Sequence, residues 1–165
     1  MLDFKKAALS ADEASYRQKM GSIIKDFKNR CGDWFINEES QVIAFKALDS
    51  FIFPGLIRFE IGDVQNMLVD KNGEELFLGY GMAGGEAANK KAVQSAVRNA
   101  LTYQELSTCT KLIFNVLGNE NLALDQIIAM SRYMMEYAAE GTEIVFGANI
   151  DYSLGDELSV FIIAK

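Results

Sequence analysis

The chain has 165 residues, half of them hydrophobic and 24% charged, with a net charge of −7. That length holds about one domain with its own core, and the balance excludes a mainly disordered chain. No apolar run reaches the ~18 residues of a membrane span, and the N-terminus lacks the ~7–15-residue apolar stretch of a secretory signal, which predicts a cytoplasmic protein.

Histidine is absent. This removes Ser-His-Asp and Cys-His catalysis and every His-ligated metal site. Cys31 and Cys109 are too few and too far apart for a zinc ribbon or a CxxC pair, and they read as buried free thiols. Residues 1–30 carry a charge of +3 and residues 31–165 a charge of −10. The acidic body repels nucleic acid, and the basic stretch reads as the wet side of a helix.

In chain order, Ser10-Ala-Asp-Glu offers a helix start, and Tyr16, Met20, Ile23, Ile24 and Phe27 recur at helical spacing as far as Cys31-Gly32. Trp34-Phe-Ile reads as a short strand. Glu38 to Phe53 reads as a second helix, stopped by Pro54-Gly55. Asp63 to Val69 is a short third helix, followed by a turn at Asp70-Lys-Asn-Gly73. A strand over Glu75–Gly81 then runs into glycines, and Glu86 to Tyr103 is helical, with a small-residue stripe of Ala88, Ala92, Val93, Ala96, Val97 and Ala100. Lys111–Leu117 is a buried strand, Leu122–Ala138 a helix, Glu143–Ala148 a strand and Glu157–Ala164 a terminal strand. The order predicts an α+β fold: a four-stranded mixed sheet (βαβαββ) with helices on one face, preceded by an N-terminal helical segment. The short Asp151–Asp156 turn predicts an antiparallel hairpin between the last two strands.

Gly79-Tyr-Gly-Met-Ala-Gly84 matches G-x-G-x-x-G between a strand and a helix, a pattern that lets backbone approach a pyrophosphate. The acid expected at the end of the next strand is missing, since Glu105 precedes that strand. The bland reading is a tight strand-to-helix turn; the other is a site for NAD or NADP. Met130, Met134 and Met135 with Tyr133 and Tyr137 read as a core stripe. Asp151, Asp156 and Glu157 fit no EF-hand spacing and read as a solvated turn. Glu60 and Asp63 are two carboxylates three apart after the apolar approach Pro54-Gly-Leu-Ile-Arg-Phe. One lies before a helix and one at its N-cap, where they can orient a water or a cation. Alternatively, Asp63 only caps the helix and Glu60 is only exposed.

These pieces stand in a familiar order. Pro54-Gly-Leu-Ile-Arg-Phe-Glu-Ile-Gly-Asp-Val64, then Gly79-Tyr-Gly-Met-Ala-Gly-Gly-Glu86 opening an alanine-rich helix, resembles the bacterial tubulin relative FtsZ. In that family a central helix ends in Pro-Gly-Leu-Ile and runs into Asn-Leu-Asp-Phe-Ala-Asp-Val. Leu112-Ile-Phe-Asn-Val-Leu-Gly118, Val145-Phe-Gly-Ala-Asn-Ile-Asp151 and Asp156-Glu-Leu-Ser-Val-Phe-Ile-Ile-Ala164 are similar to its remaining strands. The resemblance covers about residues 40–165. It implies a helical segment over 1–53, a remnant of or substitute for the end of the nucleotide domain and central helix. It also implies an FtsZ/tubulin-like C-terminal domain over 54–165.

The resemblance further implies a cell-division role in filament assembly. The loop after the central helix would reach the nucleotide of a neighbouring FtsZ-type subunit, or of a second copy. Glu60 and Asp63 would there be catalytic in trans, and Arg58 would contact the nucleotide. Arg58 stands where the family has asparagine, and Glu60 where it has its first aspartate. The family's signature Gly-Gly-Gly-Thr-Gly-Thr-Gly is absent from the chain. The expectation is therefore no cofactor and no enzyme activity on this chain alone, with GTP and magnesium supplied by the partner. The alternative is a stand-alone interaction or regulatory module of the same fold.

Overall fold

A computed structural model describes residues 11–53, 55–69 and 74–165. Pro54 and the expected Asp70–Gly73 turn lie outside the described residues. The chain begins with α1 (Ala11–Arg30), whose acids Asp12 and Glu13 fall in the first turn and whose bases Lys28 and Arg30 fall in the last. Both charge sets oppose the helix dipole. Tyr16, Met20, Ile24 and Phe27 form its buried stripe. A 3-10 turn, Gly32–Trp34, stands where a strand was expected over Trp34–Ile36. Phe35 makes only an isolated antiparallel bridge to Thr102, because three apolar residues between a turn and a helix start are too few for a ladder.

α2 (Glu38–Asp49) starts where the Asn37 side chain accepts from the Ser40 N–H at 2.8 Å, and it tightens into a 3-10 turn over Ser50–Ile52. α3 spans Ile61–Leu68, β1 Phe77–Ala83 and α4 Ala88–Arg98. β2 spans Lys111–Gly118, α5 Leu124–Tyr137, β3 Glu143–Ile150 and β4 Leu158–Ala164.

The sheet order is β1-β4-β2-β3. β2 and β3 are parallel neighbours, as the helical crossover between them requires. The expected β3–β4 hairpin does not form. β4 instead crosses to the centre and pairs antiparallel with both β1 and β2. The reason lies in its own sequence. Leu158-Ser-Val-Phe-Ile-Ile-Ala164 is buried at every position. Only a central strand covered on both faces hides such a run. The Asp151–Glu157 link turns through a 3-10 segment, Tyr152–Leu154, and Gly155 at φ +59°. There the Asp151 carboxylate accepts from the Ser153 N–H at 2.9 Å and from its hydroxyl at 2.6 Å.

Helices cover both faces of the sheet rather than one. Phe77, Phe114, Val160 and Ile162 pack beneath Ala92, Val93 and Ala96 of α4 and Ile127, Met130 and Met134 of α5. Leu78, Ile113, Phe161 and Ile163 pack against the apolar residues of α1, α2 and α3.

Cys31 sits in that second cluster, and burial pushes its thiol up to about 11; burial also raises the Tyr16 phenol. Both groups are neutral acids that the folded chain keeps protonated longer. An unfolded thiol ionises near ~8.5, so above that pH the unfolded chain releases a proton that the folded chain retains. Stability therefore falls as pH rises toward the folded value. Thermal melts between about pH 8 and pH 10 should show a falling midpoint, and Cys31→Ala should flatten part of that slope.

Candidate functional site

Between α2 and α3 the segment Gly55–Glu60 runs as an extended strip along the outer edge of β3. Ile57 and Ala148 exchange both backbone hydrogen bonds, at 3.1 and 3.0 Å. The strip alternates as a strand does. Phe59 turns inward and is buried, while Leu56, Arg58 and Glu60 are exposed. Arg58 and Glu60 thus share the outward face because they are two residues apart.

Two close approaches hold the strip down. A Cβ on Gly147 would come within 2.5 Å of the Phe59 ring, so the ring lies directly on the β3 backbone. Phe59 also stacks on Phe51, with ring centroids 4.8 Å apart. Gly55 approaches β3 too closely for any side chain: its Cβ would lie 2.7 Å from Asn149 Cγ and nearer still to the Ala148 carbonyl oxygen.

The turn that feeds the strip is held by two buried amides. Asn149 Nδ2 donates to the Ser50 carbonyl at 3.0 Å and to the Phe53 carbonyl at 2.8 Å. Asn115 Nδ2 donates to Ser50 Oγ at 2.9 Å. Replacing Asn149 by alanine removes a buried amide and leaves the part-buried Ser50 and Phe53 carbonyls without it. It should cost about 1–3 kcal/mol in urea unfolding, where Ser153→Ala on the nearby exposed turn should change little. Nothing in the local sequence marks Asn149 or Asn115, because their partners lie 96, 99 and 65 residues away.

Glu60, not Asp63, occupies the N-cap of α3, and its side chain makes no capping bond. Asp63 is the third residue of the helix, where a carboxylate complements the dipole. It is half-buried beside a small cleft of about 90 Å³ shared with Asn66, Lys111 and Glu143. The structure therefore places Glu60 and Asp63 one helical turn apart at the sheet edge.

Arg58 faces α1. Its Nη1 lies 3.4 Å from Asp12 Oδ2, and its guanidinium carbon lies 4.9 Å from the Tyr16 ring centre. The Tyr16 hydroxyl donates to the Phe51 carbonyl at 3.2 Å. Beyond the dominant effect of burial, the Arg58 cation lowers the Tyr16 phenol and the Glu60 carboxylate raises it, so both charges act at one place. In the sequence Asp12 stands out only as part of a helix start, and Tyr16 only as one apolar position at helical spacing.

The glycine cluster has a different use from the dinucleotide reading. Gly79 and Gly81 lie within β1, not in a loop after it. A Cβ on Gly81 would come within 2.6 Å of the Ala92 carbonyl oxygen and closer to the Ala96 nitrogen; one on Gly79 would strike the Ala96 carbonyl. Their bareness lets α4 lie on the strand, so that backbone faces a helix rather than a ligand. Gly84 sits against the Glu157 side chain, and Gly85 at φ +74° turns the chain into α4.

A second, larger cleft of about 730 Å³ opens between α2 and the far ends of β1, β3 and β4, with Lys46, Asp49, Phe53, Met82 and Tyr152 among its lining residues. No sequence motif announces it, since its walls come from separate elements. Among the described residues no three His, Cys, Asp or Glu side chains come together as a metal set, and no helix is long and apolar enough to cross a membrane.

A family model for the FtsZ family, C-terminal domain, matches residues 75–165, more than half of the chain. The chain belongs to the FtsZ family. This FtsZ-family chain is 31% identical over 101 residues to the mitochondrial division protein fszB of Dictyostelium discoideum, covering 61% of this chain and 27% of that protein. Among solved structures, an empty FtsZ dimer from M. jannaschii superposes with a TM-score of 0.66 at 26% identity, covering 76% of this chain and 36% of that one. TubZ of Bacillus thuringiensis serovar israelensis, solved as GDP-form protofilaments, shares the fold with a TM-score of 0.58 at 16% identity, covering 88% of this chain and 39% of that one. The chain thus spans between a quarter and two fifths of the length of these relatives.

Proposed function

We propose that this FtsZ-family chain is an assembly domain that acts in trans, presenting Glu60 and Asp63 to GTP held by a neighbouring FtsZ-type subunit in a filament. The observation that carries the reading is the anchored strip. Gly55, Ile57 and Phe59 are fastened to β3, so Arg58 and Glu60 project outward and Asp63 follows one turn on. A carboxylate so held can orient a water for attack on a phosphoryl group and accept its proton. Arg58 supplies a cation for the phosphate side. GTP and magnesium come with the partner, because Glu60 and Asp63 alone are not a metal set. The partner is an FtsZ-type subunit or a second copy, and the place of action is the cytoplasm.

Mixing the chain with a nucleotide-bearing FtsZ subunit tests this. GTP hydrolysis should rise with added chain, and the chain should sediment with the filaments. A second reading, a regulatory module without a hydrolytic role, is favoured by the engagement of Arg58 with α1. In that case the chain sediments with or shortens filaments and leaves hydrolysis per subunit unchanged.

A further inference from the structure

The Arg58 guanidinium is held at two points by α1, a helix outside the residues that the family model matches. The two holds differ in kind. Tyr16 is buried and fixed through its hydroxyl to the Phe51 carbonyl, so its ring is a permanent platform for the guanidinium plane. Asp12 is the opposite case. Its side chain is 81% exposed, the Arg58 side chain is 41% exposed, and their charged atoms stand 3.4 Å apart. An exposed, single-contact pair of that kind is weak and exchanges readily.

We propose that Asp12 and Arg58 form an anion-exchange latch: Asp12 occupies the guanidinium until a phosphoryl group of the incoming nucleotide displaces it, while Tyr16 keeps the guanidinium in place. The proposal rests on the trans reading above and adds a regulatory element to it. The displacing ligand is a phosphate because it carries more charge than a carboxylate and matches the guanidinium fork. Asp12 and Tyr16 are positioning residues here. They act on the nucleotide only through Arg58.

The test is titration of the full chain with magnesium-free pyrophosphate at low ionic strength, followed by NMR at the Arg58 Nε–Hε signal. The wild-type chain should show a saturable shift. Asp12→Asn should bind about 1.5- to five-fold more tightly, the gain from removing a weak exposed competitor. Asp26→Asn removes an equal charge from α1, where Asp26 pairs with Arg30, and should leave the affinity unchanged. Equal tightening by both variants, equal affinity of wild type and Asp12→Asn, or no saturable shift in either overturns the latch. Because the probe needs no partner, the two ideas fail separately. Exchange without stimulated GTP hydrolysis overturns the trans reading, and stimulation without exchange overturns the latch.

Discussion

Gly81→Val should lower the stability of the chain by about 3 kcal/mol or more, the upper end of what overpacking costs. The added Cβ would meet main-chain atoms of α4 at Ala92, Ser95 and Ala96 rather than the tip of a flexible side chain. Relief therefore requires the whole helix to lift from β1. Lifting it uncovers Ala92, Val93 and Ala96 on one side and Phe77 on the other. Urea unfolding followed by far-ultraviolet circular dichroism checks this. Gly21→Ala supplies the opposite sign: a Cβ there meets nothing within 4 Å, and alanine in place of a mid-helix glycine should stabilise by about 0.5–1 kcal/mol. If Gly81→Val unfolds at the wild-type urea concentration, α4 does not rest on the β1 backbone, and the glycines are free for a ligand after all. Binding of NAD would then be the next measurement.

Replacing Glu60 and Asp63 together by alanine should cut stimulated GTP hydrolysis by about 100-fold or more, within the range for removal of a general base and its water-orienting partner. Co-sedimentation with the partner's filaments should persist, because the anchors of the strip, Ile57, Phe59 and Gly55, are untouched. The melting temperature should fall by only about 1–4 °C, since Glu60 is exposed and makes no capping bond and the loss of Asp63 removes one half-buried charge that complements the α3 dipole. Glu60→Asp separates position from charge. It shortens the side chain to the length that the family uses, and a displacement of ~1 Å changes rates by up to ~100-fold. A double variant that stimulates as well as the wild type removes these carboxylates from the chemistry and leaves the regulatory reading.

The periodic helices and strands were legible in the residues, with ends a few positions off. Tyr16, Met20, Ile24 and Phe27 announce α1, and Ile127, Met130 and Met134 announce α5, because a stripe that recurs at helical spacing has one stable way to be buried. The departures came where contact with another element overrides the local pattern. Asp63 reads as a cap because aspartate favours that position, yet the strip's pairing with Ala148 carries the extended backbone on to Glu60 and starts the helix there. Gly79 and Gly81 read as a phosphate turn because the pattern records only spacing. What touches those positions is a helix that starts seven residues after Gly81.

The order of motifs by itself determined the family and the α+β class, since five short patterns in one sequence order constrain a fold more tightly than any one of them. It also marked Arg58, Glu60 and Asp63 as one neighbourhood. Only the tertiary structure decided that β4 enters the centre of the sheet, that α1 to α3 cover its second face, and that Arg58 is claimed by Asp12 and Tyr16. The physical reason is the same in each case. The strand pairings of β4 and the contacts of Arg58 join residues at least 42 positions apart, and local propensity carries no information about which distant partner wins.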